Sequence, residues 1–253
     1  MKSNILIRGI EIIETMASIG PANIEKICDE TKISKSAIYR ILCILEDLKY
    51  VSRYRNIAED IWRLDFKLLK IANDIISRMD LRNEVRDILL KLSNETNEIV
   101  QFGVLHNGKF LVLEAIRRPR GLINVANIGD EIDINISAAG IAILAYHDEE
   151  EQNLILENKK FQKFTNKTLT NADDIRKELK KIKKYGYSFD DQNFAIGHRC
   201  IGAPIFNFTK KVIAGVNISG HISTFSDERI DELAQIVKKY ALEASKRMGF
   251  EID

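Results

Sequence analysis

The sequence predicts an α+β chain of two domains joined by a helix. Three observations carry that expectation. A basic, helically spaced stretch near the amino end is followed by two short strands, residues 65–79 form a helical run that Asp80 breaks, and at Ile99 the apolar spacing changes from helix-like to strand-like. The boundaries this gives are 1–64 for a winged helix-turn-helix, 65–80 for a linker helix and 81–253 for a sheet covered by helices.

Residues 5–18 open the chain as a helix with Leu6, Ile10, Ile13 and Ala17 on its expected buried side. Asn23 is placed to cap a short second helix, IEKICDETK, whose Ile24, Ile27 and Cys28 point one way. A tight turn over Thr31 to Ile33 leads to a third helix. Ser34 stands where a side-chain oxygen can accept a bond from a first-turn N–H, leaving other N–H groups for a phosphate. Along it Ile38, Ile41, Leu42, Leu45 and Leu48 fall at helical spacing and predict one buried stripe. That stripe turns Lys35, Ser36, Tyr39 and Arg40 outward together. Val51–Tyr54 and Ile61–Leu64 follow as two short strands joined by the polar run Arg55, Asn56, Ile57, Ala58, Glu59 and Asp60, which completes a wing.

Charge sharpens the functional meaning of this segment. Between Lys32 and Arg55 the cations are Lys32, Lys35, Arg40, Lys49, Arg53 and Arg55, against Glu46 and Asp47, while the whole chain carries a formal charge of +1. A local positive face suits a reader of double-stranded DNA better than a general polyanion binder. On this reading Arg40 reaches a base edge, and Arg53 and Arg55 contact phosphates.

The run over 65–79 places Leu68, Leu69, Ala72, Ile75, Ile76 and Met79 on one side, and a new helix begins near Leu81. A helical linker, unlike a Gly/Ser tether, passes on a displacement. IVQFGVL and FLVLEAI then flank His106, Asn107, Gly108 and Lys109, and Asn-Gly between apolar runs signals a hairpin. LINVA is expected as a third strand after the basic loop of Arg117, Arg118, Pro119, Arg120 and Gly121. Ile132, Ile134 and Ile136 approach a helix opened by Ser137. Further helices are expected at 148–158 and 173–185, strands at Tyr187–Asp191, Cys200–Phe206 and Val212–Ser219, and a last helix from Ser226 with Asp227 and Glu228 in its first turn. A mixed sheet is the expected result.

Composition bounds the rest. Some 253 residues with 45% hydrophobic content suffice for two packed cores. Cys28, Cys43 and Cys200 are odd in number and far apart, so neither a disulfide framework nor a CxxC metal site is suggested, and no cofactor is expected. The start, MKSNILIRG, has too short an apolar run for a signal sequence, and no stretch approaches the ~20 apolar residues that span a bilayer. No membrane association and a cytoplasmic location are expected.

Four stretches, in this order and spacing, resemble the IclR-type transcriptional regulators: RGIEIIE, ISKSAIYRILCILEDLKYVSR, ISAAGIAILAY, and GYSFDDQNFAIGHRCIGAPIF with VIAGVNISG after it. The resemblance runs from about Leu6 to Gly249. It implies a winged helix, a linker helix and a GAF-like effector-binding domain, in dimers or tetramers that bind promoters of catabolic operons and respond to small organic acids. Effector contacts carried over by motif position are Ala138 and Ala139 at a helix start, with Asp190, Cys200, Asn217 and Ser219 lining the pocket. A first turn of Ser137, Ala138, Ala139 and Gly140 also permits close approach of a carboxylate to helix N–H groups. Asp190 is suited to receive a ligand hydroxyl, Asn217 and Ser219 to donate to a carboxylate, and Cys200 to form a wall; that mixture favours a hydroxy- or keto-acid. Departures from the family pattern are Ile141, where Lys is common, Gln192 and Asn193, where acids are usual, and Asn217, where Ser is frequent.

Two other classes stay open at this point. One is a small-carboxylate-binding or scaffolding protein whose winged helix makes protein contacts. The other is an enzyme, for which His198 and Cys200, two apart on one side of an extended segment, are a conceivable nucleophilic pair. No orienting acid or oxyanion hole completes that pair, and no catalytic residue is assigned.

Overall fold

The computed structural model describes residues 5–55, 60–77, 80–118, 126–157 and 159–251, with backbone alone described at 55, 73, 75–77 and 80. Two compact units meet in sequence between residues 78 and 79.

The first unit contains α1 (Ile5–Ile19), α2 (Ile24–Thr31), α3 (Lys35–Asp47), β1 (Val51–Arg55), β2 (Asp60–Leu64) and α4 (Phe66–Ser77). Asn23 caps α2, its side chain accepting from Lys26 N at 2.9 Å. Lys32 takes a left-handed conformation at φ 57°, and this sharp turn launches α3. β1 and β2 pair antiparallel, with Arg53 opposite Trp62. Trp62 is fully buried. Its backbone N–H donates to Ala22 O at 2.8 Å and its carbonyl accepts from Ala22 N at 2.9 Å, which ties the wing to the turn before α2.

Three expectations change in this unit. The buried side of α1 is Gly9, Ile12 and Met16, while Leu6, Ile10 and Ala17 are exposed. The first turns of α1 are apolar nearly all round, so spacing alone does not choose the face; a Cβ on Gly9 would stand 3.8 Å from Ile41 Cγ2, and this approach to α3 fixes it. Leu48 is half exposed because α3 has already ended there, with Lys49 at φ 62° turning the chain. Ser34 is the N-cap of α3, but its carbonyl accepts from Ala37 and Ile38, and its hydroxyl lies beside that of Ser36 at 3.5 Å and bonds no first-turn N–H.

The second unit comprises α5 (Asp80–Thr96), β3 (Ile99–His106), β4 (Lys109–Ile116), β5 (Glu131–Asp133), a 3₁₀ turn at Ile134–Ile136, α6 (Ala138–Leu144), α7 (Glu149–Leu156), α8 (Ala172–Tyr185), β6 (Ser188–Asp191), β7 (His198–Phe206), β8 (Val212–His221), a 3₁₀ turn at Asp227–Arg229 and α9 (Ile230–Arg247). Among the described residues the sheet order is β5-β4-β3-β8-β7-β6, and every pairing is antiparallel rather than mixed. The long connection through α6, α7 and α8 joins β5 at one edge to β6 at the other, so it creates no parallel neighbours. The hairpin turn holds Asn107 at φ 49° and Gly108 at φ 72°, as a two-residue type I′ turn requires. The LINVA strand lies almost wholly outside the described residues, and of its residues Ala126 is irregular.

Strand alternation builds two faces. Val100, Phe102, Ile201, Ala203, Ile205, Val216 and Ile218 pack into one core with Leu89 and Leu92 of α5 and Leu233, Val237 and Ala241 of α9. On the other face, Gly202 and Gly215 let α6 lie against the sheet: a Cβ at Gly202 would come within 2.5 Å of Ala138 C, and one at Gly215 within 3.0 Å of Ala139 O. Gln101, Cys200, Asn217 and Ser219 occupy alternate positions relative to that apolar core.

Candidate functional site

Two surfaces answer to the residues singled out in the sequence, one in each unit. On α3 the buried residues Ile38, Ile41 and Leu42 leave Lys35, Ser36, Tyr39 and Arg40 exposed along one side. No acidic residue stands in the first turn, which keeps the positive end of the helix dipole uncancelled. Lys35 forms an exposed ion pair with Glu25 of α2. Tyr39 sets its ring edge against Trp62, with centroids 6.4 Å apart at 88°.

Arg53 differs from its expected role. Its side chain is 15% exposed, 3.3 Å from Asp60 and 3.6 Å from Glu46, and its guanidinium lies 5.1 Å over the Trp62 ring. The neighbouring Tyr39 hydroxyl, with the Glu46 and Asp60 carboxylates after it, holds the guanidinium more firmly protonated than usual. The cation is therefore occupied inside the domain. Arg55 ends β1, and its side chain lies outside the described residues.

In the second unit a cavity of about 640 Å³ opens on the α6 face of the sheet. Ala138, Cys200, Asn217 and Ser219 all line it. Ser137 caps α6 by accepting from Gly140 N at 3.0 Å. The floor is one connected set of polar side chains: Asn217 Nδ2 donates to Gln101 Oε1 at 3.3 Å and to Ser219 Oγ at 3.0 Å, and Ser219 Oγ is 3.0 Å from Cys200 Sγ. The β-ladder sets this up by pairing Gln101 and Gly202 with Asn217, and Cys200 with Ser219. Phe164 and Phe194, their rings 5.4 Å apart, and His198 add aromatic wall, while Arg117, Asn127, Asp130 and Glu131 stand among the remaining lining. Glu131 faces His106 and Lys109, and Asp133 pairs with Lys159 at 3.0 Å, so the acids of this rim are partly balanced.

Two candidate residues fall elsewhere. Ala139 is fully buried in a cluster with Phe110, Val112 and Ile143, so its side chain does not reach the cavity. Asp190 lines a smaller neighbouring pocket of about 170 Å³ that shares Ser137 and Ala138 with the large one. One oxygen of Asp190 accepts from Asn193 N at 2.7 Å and the other is buried without a hydrogen-bond partner. Burial, helped by the neighbouring Asp191, pushes its pKa up to about 7. Asn217 also changes role, since its amide nitrogen donates twice within the floor. Gln101, Phe164 and Phe194 were not read from the sequence. The available signal for Gln101 was a polar residue at an alternate position of a strand otherwise apolar on both faces.

The His198–Cys200 pair does not behave as a nucleophilic couple. The thiol lies 3.6 Å from His198 Nε2, but burial lowers the His198 pKa to about 4 and raises that of Cys200 well above its usual range, with Asp190 adding to the rise. Both groups are held neutral at neutral pH, the opposite of a thiolate–imidazolium pair.

Comparison with known proteins decides the family. A profile described as bacterial transcriptional regulator IclR C-terminal matches residues 73–246. The chain belongs to the IclR family of transcriptional regulators. The transcriptional repressor IclR of Escherichia coli is 27% identical over 247 residues, covering 96% of this chain and 89% of that protein. The crystal structure of IclR from Thermotoga maritima superposes with a TM-score of 0.82 at 27% identity, covering 97% of this chain and 98% of the other. An IclR homologue from Microbacterium hydrocarbonoxydans, complexed with 4-hydroxybenzoate, has the same fold at a TM-score of 0.82 and 18% identity, with 97% and 99% coverage. A winged helix-turn-helix followed by a GAF-like α/β domain is thus the fold of an IclR-family regulator.

Proposed function

We propose that this chain is a DNA-binding repressor of catabolic genes whose hold on its operator is set by a small organic acid bound in the second unit. The observation that carries the effector half is the buried chain of polar side chains from Gln101 through Asn217 and Ser219 to Cys200. Buried polar groups are ordinarily satisfied by one another or by a guest, and this row borders a cavity of about 640 Å³. Asn217 spends its donors internally, so the Gln101 amide nitrogen and the Asn217 carbonyl are the floor groups left to meet a ligand's carboxylate and hydroxyl. Arg117 brings a positive charge to the lining. A hydroxy- or keto-acid meets both demands, with its carbon skeleton against Phe164 and Phe194. The homologue bound to 4-hydroxybenzoate supports an acid ligand.

The exposed face of Lys35, Ser36, Tyr39 and Arg40 supports the DNA half. Ile5, Leu6, Ile7 and Ile10 on α1, and Phe66 and Leu69 on α4, are exposed apolar residues that support a homo-oligomer, a dimer or tetramer. A two-fold pair of such helices reads half-sites about 34 Å apart, so the operator is near-palindromic. Displacement of the second unit by its ligand, passed through the linker over 65–80, alters that pairing.

The test is reciprocal. Operator affinity is measured with and without each of a panel of small hydroxy- and keto-acids, and acid affinity with and without operator. A tenfold change in one must appear in the other, equivalent to a coupling of about 1.4 kcal/mol. Equal affinities in both directions would remove the regulatory reading and leave a binding or scaffolding protein.

A further inference from the structure

A larger positive excess than that of α3 and the wing lies in the second unit. Residues 159–184 hold ten lysines and arginines against three acids, whereas Lys32–Arg55 holds six against two. The rest of the second unit, 79–158 and 185–253, has fifteen cations and 23 acids, so this unit of a nearly neutral chain is sharply divided by sign.

The charge is ordered on α8. Ile175, Leu179 and Ile182 are its buried side, and the opposite side carries Lys177, Lys180, Lys181 and Lys184, all exposed. Lys177 pairs with Asp174 and Lys181 with Glu178, each at 2.8 Å. Lys180, Lys183 and Lys184 meet no carboxylate among the described residues, and neither do the exposed Lys160 and Lys163 ahead of the helix. Phe161, between those two, is buried in the same apolar cluster as Ile175, Leu179 and Ile182.

Stability does not account for this pattern. Lys183 and Lys184 suit the negative end of the helix dipole, but Lys180 stands a turn before it. Lys177 with Lys181, and Lys180 with Lys184, are like charges four residues apart, which cost a helix rather than support it. Between Lys177 and Lys184 the outward side has no apolar residue, so it is not built to enter a lipid interface. It offers charge alone, over about 10 Å of helix, a length along which double-stranded DNA presents about six phosphate charges.

We propose that this face of α8, centred on Lys180, Lys183 and Lys184, is a second DNA contact: it grips phosphates outside the bases that α3 reads and is blind to sequence. Such a contact has a use, because Lys35 is already paired with Glu25, and Arg53 with Glu46 and Asp60, within the first unit. The proposal rests on the DNA-binding reading above.

The test uses the full chain and a duplex that the unchanged protein selects from a random pool, with about 20 base pairs added at each end. Affinity is measured against salt for the unchanged protein and for three triple variants. In the first, Lys180, Lys183 and Lys184 become Gln; in the second they become Arg; in the third, Lys91, Lys239 and Lys246, exposed on α5 and α9, become Gln and remove the same charge elsewhere. The first is expected to bind at least tenfold more weakly, with its salt slope reduced by about two to three and its preference for the selected sequence over random duplex unchanged. The arginine variant and the α5 and α9 variant keep the original affinity and slope. Thermal transitions and acid affinity unchanged in the first variant show that α8 is still folded; should they fall, the single changes Lys180→Gln and Lys183→Gln are read instead, each expected to lower the slope by about one. Full affinity and slope in the glutamine variant of α8 would overturn the proposal alone. So would an equal loss in the α5 and α9 variant, the mark of net charge rather than a contact. Failure of the unchanged protein to select any duplex would overturn the DNA-binding reading, and this proposal with it.

Discussion

On α3, Lys35, Ser36, Tyr39 and Arg40 lie within six consecutive residues and project from one helix side into solvent. The cavity floor draws Gln101, Cys200, Asn217 and Ser219 from three strands, with Gln101 and the asparagine it bonds 116 positions apart in sequence. The first surface is assembled by local geometry and exposes its charges. The second is assembled by sheet register and keeps its polar groups buried and neutral. A surface of the first kind tolerates loss of one side chain, because water replaces it; in the second, removal of one member leaves its partner unsatisfied.

Removing the support beneath each surface gives the largest effects. Trp62→Ala takes out a fully buried ring that carries both the wing and Arg53, and should cost about 3–5 kcal/mol in the stability of the first unit. Calorimetry should then show a lowered transition for that unit and an unchanged acid affinity. Gly202→Val is the counterpart in the second unit, where a Cβ would meet the backbone of Ala138 at 2.5 Å. Overpacking of this kind should cost about 1–3 kcal/mol and push α6 from the sheet, so acid binding fails while selected DNA is still bound. If either change disables both activities equally, the division of labour between the units is wrong.

Next in size is a pair of opposed pH effects. Asp190, with its pKa raised to about 7, keeps a proton in the folded chain that the unfolded chain releases near ~4, so its contribution to stability falls as pH rises through that window. His198, lowered to about 4, stays neutral in the fold while the unfolded chain takes up a proton near ~6.5, so its contribution rises with pH up to that point. Between about pH 4 and 6.5 the two oppose each other and the unchanged protein should show a shallow profile. His198→Gln should unmask a stability that declines from pH 4 to 7 by up to about 4 kcal/mol, and Asp190→Asn one that climbs from pH 4 to 6.5 by up to about 3 kcal/mol. Urea midpoints measured across pH would show it; slopes of the same sign in both variants would mean that at least one of the groups is not buried as described.

The contrast between the surfaces also explains what could be read before the structure. α3 was legible because helical spacing and charge lie in one short window, and the hairpin because Asn107 and Gly108 accept positive φ. The buried side of α1 was not, since Ile5, Leu6, Ile7 and Ile10 make its first turns apolar all round and only contact with Ile41 selects a face. Arg53 read as a free cation because the Glu46 and Asp60 carboxylates that engage it are brought together by the wing fold. Gln101 carries no comparable signal, since a polar residue in a strand suggests a solvent-facing position, and here the side chain is buried on the α6 face of the sheet. Cys200, Asn217, Ser219 and Ala138 came instead from family resemblance, and the structure gathers those four around one cavity while setting Asp190 in the adjoining pocket.

The smallest effect on stability, and the clearest separation of outside from inside, belongs to Arg40. It is exposed on α3, and no ion pair within the protein engages it among the described residues. Arg40→Ala should leave the thermal transition within about 0.5 kcal/mol of the original, as exposed substitutions usually do. Its operator affinity should fall by about 1–3 kcal/mol, with discrimination relaxed at one base position if the guanidinium reads a base edge. If it meets a phosphate instead, all sequences weaken alike and the salt slope drops by about one. Substitution of Arg53, whose charge is engaged by Glu46 and Asp60 in the same domain, should change neither the base preference nor the salt slope. An Arg40 variant with unchanged affinity, slope and sequence preference would show that α3 does not lie against the duplex by this side, and the comparison between the two surfaces would lose its outer half.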